Sequence, residues 1–338
     1  MAKISIVGSG SWGTAIAIML AEMGHNIILW SYLESESQAL NENKENIPFL
    51  PGVKIPDNVE YTSDISLCGD SDLIIMATPS HGMRNTAKAL KPFVSEGQRI
   101  LNISKGIEEE SLLTMSQVIA DELPMCDVSV MSGPSHAEEV SRKIPTTNVI
   151  ASKSPETAEY IQDLIMNPNF RIYTNTDILG VELGGSVKNV IALCAGILDG
   201  MGLGDNTKAA LMTRGLVEMT RLGVALGAKK ETFSGLSGIG DLIVTCTSMN
   251  SRNRRAGILI GQGKTLEEAQ KEVNMVVEGV RSCRAVKALA DKAHVDMPIV
   301  NEAYKVLFEG ESVTDALKNL MGRTKKNESE QDFLHINS

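Results

Sequence analysis

Three glycines near the start of the chain have the spacing of a turn that can hold a pyrophosphate. Gly8, Gly10 and Gly13 follow the pattern G-x-G-x-x-G, between an apolar stretch at residues 4–7 and another at residues 15–23. In such a turn the first glycine permits a tight bend, the second lets phosphates approach the backbone, and the third lets the helix pack on the strand. The N–H groups that begin the helix also attract an anion. The motif predicts a dinucleotide site, against the alternative of a turn that serves packing alone.

Charged residues in the second half could supply acid–base chemistry and anion binding. Lys188 lies among small and apolar residues, which argues against the ordinary interpretation of a lysine on a solvated helix face. Asp241 stands in the sequence Gly-Ile-Gly-Asp-Leu, and three arginines follow within residues 252–255. Clustered guanidinium groups can hold an anion on an acidic protein, although a basic helix start on the surface is the alternative.

The first half of the chain shows the alternation of strands and helices that indicates a parallel, doubly wound sheet. Several of the expected strands are apolar along almost their whole length, as strands buried on both faces are. They end at small or polar residues, for example 78–81 and 104–106, where such a sheet has its ligand crevice. An irregular stretch with three prolines occupies residues 41–57. The predicted strands are residues 4–7, 27–30, 72–77, 99–103, 127–131, 147–151 and 170–173.

From about residue 176 the pattern becomes helical. Gly184, Gly185 and Gly196 lie inside the first long helix, and glycines at such positions indicate close approach of another helix or of a ligand. The expected organisation is a Rossmann-like α/β domain at residues 1–176, an all-helical domain at 177–322 and a polar, mobile tail at 323–338. The predicted helices are residues 181–198, 206–227, 265–272, 278–293 and 298–308.

The composition excludes several classes of protein. The 338 residues carry a net charge of −10, which disfavours general binding to nucleic acid or to an anionic membrane. Five cysteines without a C-x-x-C pair predict reduced thiols in a cytoplasmic protein, and five unpaired histidines predict no metal site. The longest apolar run, residues 190–198, is shorter than the 18 or more residues of a membrane span, and no signal peptide is expected.

Several motifs in series resemble the NAD(P)-dependent glycerol-3-phosphate dehydrogenase family of the bacterial type. The similarity runs in order and at compatible spacings from about residue 3 to 320. It implies a Rossmann domain followed by a helical substrate domain. It also implies the interconversion of dihydroxyacetone phosphate and sn-glycerol 3-phosphate with NAD(P)H, and in bacteria a supply of phospholipid backbones. The motifs are residues 8–14, 104–106, 133–140, 182–189, 238–241 and 251–253.

The resemblance implies a role for individual residues. Lys188 matches the family's catalytic lysine, and Lys105 and Asp241 complete the expected catalytic group. The residues implied to contact the cofactor are Gly8, Gly10, Ser11, Trp12, Gly13, Tyr32, Lys105, Ala137, Arg252, Val276 and Glu278. Those implied to contact the substrate are Lys105, Gly133, Ser135, Lys188, Asn189, Asp241, Thr245, Ser251, Arg252 and Asn253.

The chemistry implied is proton transfer to a ketone oxygen. As hydride reaches the central carbon of dihydroxyacetone phosphate, negative charge develops on the oxygen, and a protonated Lys188 would neutralise it. An ordinary lysine has a pKa near about 10.4. Burial and the nearby Lys105 would lower that pKa, while Asp241 would raise it. Arg252 would hold the phosphate through two hydrogen bonds, and Asn253 would add a donor.

The preference between NADH and NADPH stays open. After the second strand, residues 30–33 include no acid to hold the ribose hydroxyls, and Glu34 is the nearest. No arginine for a 2′-phosphate stands there either, and Tyr32 occupies a position where the family often has a basic residue.

Two alternatives remain at this stage. A related two-domain dehydrogenase for a hydroxy acid or keto acid would share the fold but would need a carboxylate clamp. A non-catalytic nucleotide-sensing module would keep the glycine turn but has no need of Lys188, Asp241 and Arg252. The helical domain also offers surfaces for a homodimer.

Overall fold

The computed structural model describes residues 1–325 and 327–328, and it has an α/β half followed by a helical half. The strands are β1 (Lys3–Val7), β2 (Asn26–Trp30), β3 (Glu45–Asn46), β4 (Leu50–Lys54), β5 (Val59–Thr62), β6 (Leu73–Met76), β7 (Arg99–Asn102), β8 (Asp127–Ser132), β9 (Thr146–Ala151) and β10 (Phe170–Asn175). The helices of the first half are α1 (Ser11–Glu22), α2 (Glu34–Asn43), α3 (Met83–Leu90), α4 (Met115–Glu122), α5 (Ala137–Val140) and α6 (Pro155–Ile165). Those of the second half are α7 (Ile178–Gly200), α8 (Asp205–Ala225), α9 (Asp241–Thr247), α10 (Arg252–Gly261), α11 (Leu266–Val273), α12 (Glu278–Lys292), α13 (Pro298–Tyr304) and α14 (Val313–Met321).

Eight strands form one sheet in the order β10-β9-β8-β7-β6-β1-β2-β5. The strands from β5 to β8 in this order are all parallel to their neighbours. The chain first extends the sheet from β1 to β2 and β5, then crosses back to β6, so the direction of winding reverses between β1 and β6. A doubly wound sheet opens a ligand crevice at this reversal, beyond the carboxyl ends of the strands.

The expectation of an entirely parallel sheet is wrong at β9. This strand pairs antiparallel with β8, and β10 is then parallel to β9. The only helix between β8 and β9 is the four-residue α5, which rises about 6 Å, whereas a return to the start of the six-residue β8 needs about 20 Å. The irregular stretch at residues 41–57 also contains structure, because it ends α2 and forms the hairpin of β3 and β4.

The long helix α7 is the centre of the second half, and glycines let its backbone touch that of α10. Gly196 and Gly200 of α7 face Gly257 and Gly261 of α10. A Cβ atom at Gly257 would lie 2.0 Å from the carbonyl oxygen of Leu193, so no larger residue fits without moving a helix. The close helix approach predicted from the embedded glycines is therefore confirmed at Gly196.

Hydrogen bonds tie α7 to both halves of the chain. Its N-cap, Asp177, accepts from the Gly180 N–H at 2.9 Å and from Thr232 Oγ1 at 2.6 Å. The buried carboxylate of Glu182 accepts from the backbone N–H of Ser116, at the start of α4, at 2.8 Å. Burial raises the pKa of Glu182, and the hydrogen bonds from α4 act in the opposite direction. These contacts hold the central helix against the sheet domain.

By length and composition α7 is apolar enough to cross a membrane, contrary to the expectation from the apolar runs alone. However, 83% of its most apolar window is buried inside the protein, as in a core helix. The predicted tail begins at Arg323, which pairs with Asp296 at 2.7 Å, and residues 326 and 329–338 lie outside the described part of the chain.

Candidate active site

The glycine turn lies at the reversal between β1 and β6. Gly8 has φ +127°, and a Cβ atom there would lie 2.7 Å from the carbonyl carbon of Ala77, just after β6. A Cβ atom at Gly13 would lie 2.0 Å from the carbonyl oxygen of Gly8. At Gly10 a Cβ atom would meet no described atom within 4 Å. This open volume faces the N-terminus of α1, whose first turn has no acidic residue, so the turn fits a pyrophosphate.

Other residues predicted to contact the cofactor lie near this turn in the sheet domain. Ser11 and Trp12 begin α1, and the Trp12 ring packs toward Phe170 with centroids 6.5 Å apart. Tyr32 follows β2, is 79% exposed and meets Trp30 edge to face at 6.2 Å. An aromatic ring rather than an acid or a base therefore stands where the adenosine ribose would be recognised.

The helical domain contributes Glu278 to the crevice. This partly buried residue begins α12 and accepts a hydrogen bond at 3.1 Å from Ser80 Oγ, which follows β6. Burial raises the pKa of Glu278, while Ser80 and Arg252 act in the opposite direction. Val276 is 40% exposed just before α12, and Ala137 is buried at the start of α5. The Ser80–Glu278 contact thus joins the two domains at the crevice.

Lys188, Asp241 and Thr245 form one hydrogen-bonded group. Lys188 lies in the middle of α7 and is 5% exposed. Its Nζ donates to Asp241 Oδ1 and, at 2.7 Å, to Thr245 Oγ1. Asp241 begins α9 and Thr245 follows one turn later, so both side chains lie on the same helix face. A buried lysine is therefore paired with a carboxylate that α9 holds in position.

Lys105 reaches the same carboxylate from the sheet domain. It follows β7, and its Nζ donates to Asp241 Oδ2 at 2.6 Å. The same Nζ donates to the carbonyl oxygen of Gly133 at 3.1 Å and contacts Ser135 Oγ at 3.4 Å. Asp241 is 1% exposed, so one buried carboxylate joins two ammonium groups, one from each domain.

Small residues make room for this arrangement. A Cβ atom at Gly185 of α7 would lie 2.7 Å from Ser132 Oγ and 3.4 Å from the stem of Lys105. Gly133 has φ +143°, and a Cβ atom there would lie 2.8 Å from the side chain of Asn148. Gly185, one of the glycines expected to permit close approach of another helix or of a ligand, permits close approach of the Lys105 side chain.

The pKa of Lys188 is lowered from 10.5 to about 7. Burial is the largest cause, and the charge of Lys105 lowers the pKa further. The negative charge of Asp241 raises it. These are the directions expected from the sequence. For Asp241 itself, burial alone would raise the pKa, but the two lysines more than offset burial and lower the pKa overall.

Arg252 is a partly buried cation without a partner among the residues that the structure describes. Within the described residues its guanidinium makes no hydrogen bond or ion pair, and burial lowers its pKa. Glu278 and Glu138 raise that pKa, and Arg255 lowers it. Arg255 follows three positions later on the same face of α10 and adds a second positive charge there.

Three predicted substrate residues are engaged within the protein. Asn253 Nδ2 donates to Asn189 Oδ1 at 2.9 Å, and Asn253 Oδ1 accepts from the Gly279 N–H at 2.8 Å. Asn253 thus connects α7, α10 and α12. Ser251 caps α10, because its Oγ accepts from the Arg254 N–H at 3.2 Å. Asn253 keeps one N–H donor beyond these contacts, so a ligand role is compatible with its place in the helix junction.

The structure adds residues that the sequence reasoning did not single out. Ser80 bonds Glu278, and Ser186 Oγ accepts from the Gly106 N–H at 3.0 Å, which fixes the turn that carries Lys105. His136 lies among residues assigned to the site and has a buried Nε2 without a partner in the described part of the chain. The sequence could have indicated Ser80 because it follows a strand of the sheet, and His136 because it stands between Ser135 and Ala137.

The glycine turn at the sheet reversal and the two lysines that meet at Asp241, one from each domain, define a class, the two-domain nicotinamide-dependent dehydrogenases. Among the residues that the structure describes, no group of three or more His, Cys, Asp or Glu could hold a metal ion.

Comparisons with known proteins define the family. The model of the NAD-dependent glycerol-3-phosphate dehydrogenase N-terminus matches residues 3–158, and the model of its C-terminus matches residues 177–318. The glycerol-3-phosphate dehydrogenase (NAD(P)+) of Agathobacter rectalis is 54% identical over 327 residues, which is 96% of this chain and 97% of that protein. The crystal structure of a glycerol-3-phosphate dehydrogenase from Coxiella burnetii is similar with a TM-score of 0.92 and 36% identity, over 95% of this chain and 99% of that chain.

The chain therefore belongs to the NAD-dependent glycerol-3-phosphate dehydrogenase family. The predicted family, two-domain fold, enzyme class and nicotinamide cofactor are confirmed. A ketopantoate reductase from Ralstonia eutropha JMP134 has a TM-score of 0.56 and 17% identity, over 86% of this chain and 99% of that chain, and so shares the fold alone. The keto-acid dehydrogenase alternative thus shares the fold, whereas the family models that match are those of glycerol-3-phosphate dehydrogenase.

Proposed function

We propose that this chain catalyses the reversible NAD(P)H-dependent reduction of dihydroxyacetone phosphate to sn-glycerol 3-phosphate, with Lys188 as the acid. The observation that carries this proposal is the buried Asp241 between Lys188 and Lys105. Two ammonium groups and one carboxylate leave a net positive charge in a site sheltered from water. Such a charge favours the negative oxygen that develops as a ketone is reduced. Family membership supports the choice of substrate.

The chain's own residues supply the proton, and the bound cofactor supplies the hydride. With a pKa of about 7, Lys188 can give a proton to the ketone oxygen in one direction and take it back in the other near neutral pH. Asp241 and Thr245 accept two of the three N–H bonds of the ammonium group. The third N–H is left for the substrate oxygen. Asp241 is thus a positioning group that also keeps the lysine from losing its proton too readily.

Arg252 is proposed to bind the phosphate. A partly buried guanidinium without a partner costs free energy unless an anion pairs with its charge. An arginine can hold two phosphate oxygens in fixed geometry, and Arg255 on the same face of α10 adds positive charge. Binding at this remote group would hold the ketone carbon near Lys188, so binding energy contributes to the rate.

The finer parts of the proposal concern the cofactor, the assembly and the cellular role. Because residues 31–33, directly after β2, include neither an acid nor an arginine, we propose that both NADH and NADPH are accepted, and side-by-side initial rates test this. We also propose that the enzyme is cytoplasmic and supplies glycerophosphate for phospholipids. The second domain is proposed to begin at residue 177. A homodimer through the helical domain is proposed too, and sedimentation equilibrium would test it.

The direct test is Lys188→Met, with Lys292→Met on the exposed face of α12 as the matched control. Loss of the proton donor should lower kcat for dihydroxyacetone phosphate by about 100- to 10,000-fold. Cofactor binding, followed by nicotinamide fluorescence, should stay near the wild-type value for both variants. A Lys188→Met enzyme with wild-type kcat would refute the role of the lysine. A wild-type enzyme that reduced ketopantoate in preference to dihydroxyacetone phosphate would refute the substrate.

A further inference from the structure

One imidazole in the cleft is left unsatisfied by the protein. Lys105, Lys188 and Asn253 all have protein partners. The buried Nε2 of His136 has no hydrogen-bond partner in the described part of the chain. Buried polar atoms nearly always have a partner, so an exception beside a ligand site marks a place where a ligand atom completes the bond.

The loop that carries His136 lines the reacting centre. Lys105 Nζ donates to the Gly133 carbonyl oxygen at 3.1 Å and contacts Ser135 Oγ at 3.4 Å, which holds the loop directly before the histidine. Ser135 Oγ in turn donates to the Gly133 carbonyl at 2.9 Å. Ala137, directly after it, begins α5 and is buried. The loop is therefore fixed on both sides of residue 136.

The surroundings of His136 lower its pKa, which favours a neutral ring. Burial is the largest cause of its lowered pKa, and the charge of Lys188 adds to it. Glu138, Glu139 and Asp241 act in the opposite direction without reversing the result. The geometry agrees, because Ser135, directly before His136, contacts Lys105 Nζ at 3.4 Å, and Lys105 shares the Asp241 carboxylate with the proton donor Lys188. A neutral imidazole has one donor and one acceptor nitrogen, so it suits a hydroxyl group better than a phosphate.

We propose that His136 binds the C1 hydroxyl of the substrate through Nε2 and makes the enzyme selective for a hydroxymethyl ketone. This inference rests on the proposed function. With Lys188 at the ketone oxygen and Arg252 at the phosphate, the C1 hydroxyl is the polar group of dihydroxyacetone phosphate still without a partner. A site built to bond a substrate hydroxyl rejects an analogue that lacks it, because the polar group of the site is then left buried and unpaired.

The test compares two ketones in three enzymes. Acetol phosphate lacks the C1 hydroxyl but keeps the ketone and the phosphate. His136→Leu should lower kcat/KM for dihydroxyacetone phosphate by about 10- to 100-fold and leave kcat/KM for acetol phosphate within about 3-fold. His136→Gln places an amide near the position of Nε2 and should keep more of the selectivity. His294→Asn is the control, since this residue is exposed and its φ of +55° suits asparagine.

The outcomes separate this inference from the proposed function. Equal losses with both ketones in His136→Leu would indicate a structural role and overturn the inference, while the reaction would stand. A wild-type enzyme that uses both ketones equally would also overturn it, even if His136→Leu failed to fold. A wild-type enzyme that does not reduce dihydroxyacetone phosphate would refute the function itself and the inference with it.

Discussion

The pKa of Lys188 is set by two neighbours that act in opposite directions, so substitutions of each should shift it in opposite directions. Lys105 lowers this pKa and Asp241 raises it. Two cations that share one carboxylate stand about 5 Å apart, and at an effective dielectric constant of about 20 their repulsion is roughly 3 kcal/mol. That energy corresponds to about two pKa units. Lys105→Met should therefore raise the pKa of Lys188 from about 7 toward about 9.

The assay is the pH dependence of kcat/KM for reduction of dihydroxyacetone phosphate. Reduction needs the protonated amine, so the wild-type rate should fall tenfold per pH unit above about 7. Lys105→Met should move this decline to higher pH, and Asp241→Asn should move it to lower pH, even though both reduce the maximal rate. Oxidation needs the neutral amine, so its rate should rise through the same pKa. The substrate phosphate ionises near about 6 in every enzyme, so only differences between variants are informative.

The result that would refute this reasoning is a decline that stays at the same pH in both variants, or that moves in the same direction in both. Either result would mean that the observed ionisation does not belong to Lys188. Lys292→Met, on the exposed face of α12, should leave the profile unchanged.

Three further predictions concern the phosphate, the helix packing and a buried carboxyl group. Arg252→Ala should raise KM for dihydroxyacetone phosphate by about 10- to 100-fold, since it removes a charge-assisted bond; if the same penalty appeared with unphosphorylated dihydroxyacetone, the phosphate role would be wrong. Gly257→Ala should lower the thermal midpoint by several degrees, because its Cβ atom would lie 2.0 Å from a backbone oxygen of α7; Gly204→Ala, where a Cβ atom meets nothing within 4 Å, should not. Burial raises the pKa of Glu218 to about 7, so the folded state holds its proton more tightly than the unfolded state, and stability should decline as pH rises from about 4.5 through about 7. In wild type, the free energy of unfolding from urea titrations should fall by up to about 3 kcal/mol between pH 5 and pH 8 because of Glu218, and Glu218→Gln should remove this fall. The same pH dependence of the unfolding free energy in both proteins would contradict the raised pKa of Glu218.

Much of the fold could be predicted because its signals are local. The apolar strands of the sheet domain and the long helix α7 appear in the sequence within a few residues of their observed bounds. The direction of β9 could not be predicted in this way, since an isolated strand carries no sign of which way it pairs. Short elements such as α5 and the hairpin of β3 and β4 also escaped, because a few residues give too little periodicity for a prediction.

The sequence by itself determined the nucleotide turn, since a G-x-G-x-x-G spacing acts over six residues through backbone sterics alone. Motif resemblance also indicated which lysines and arginines belong to the site. Only the tertiary structure decided what those residues do to one another. Asp241 bonds Lys188 across 53 positions and Lys105 across 136. The pKa values of Lys188 and Asp241 depend on burial and on distances that no short segment encodes. The same holds for Asn253, which connects three helices, and for the Nε2 of His136, which has no partner among the described residues once the chain has folded around it.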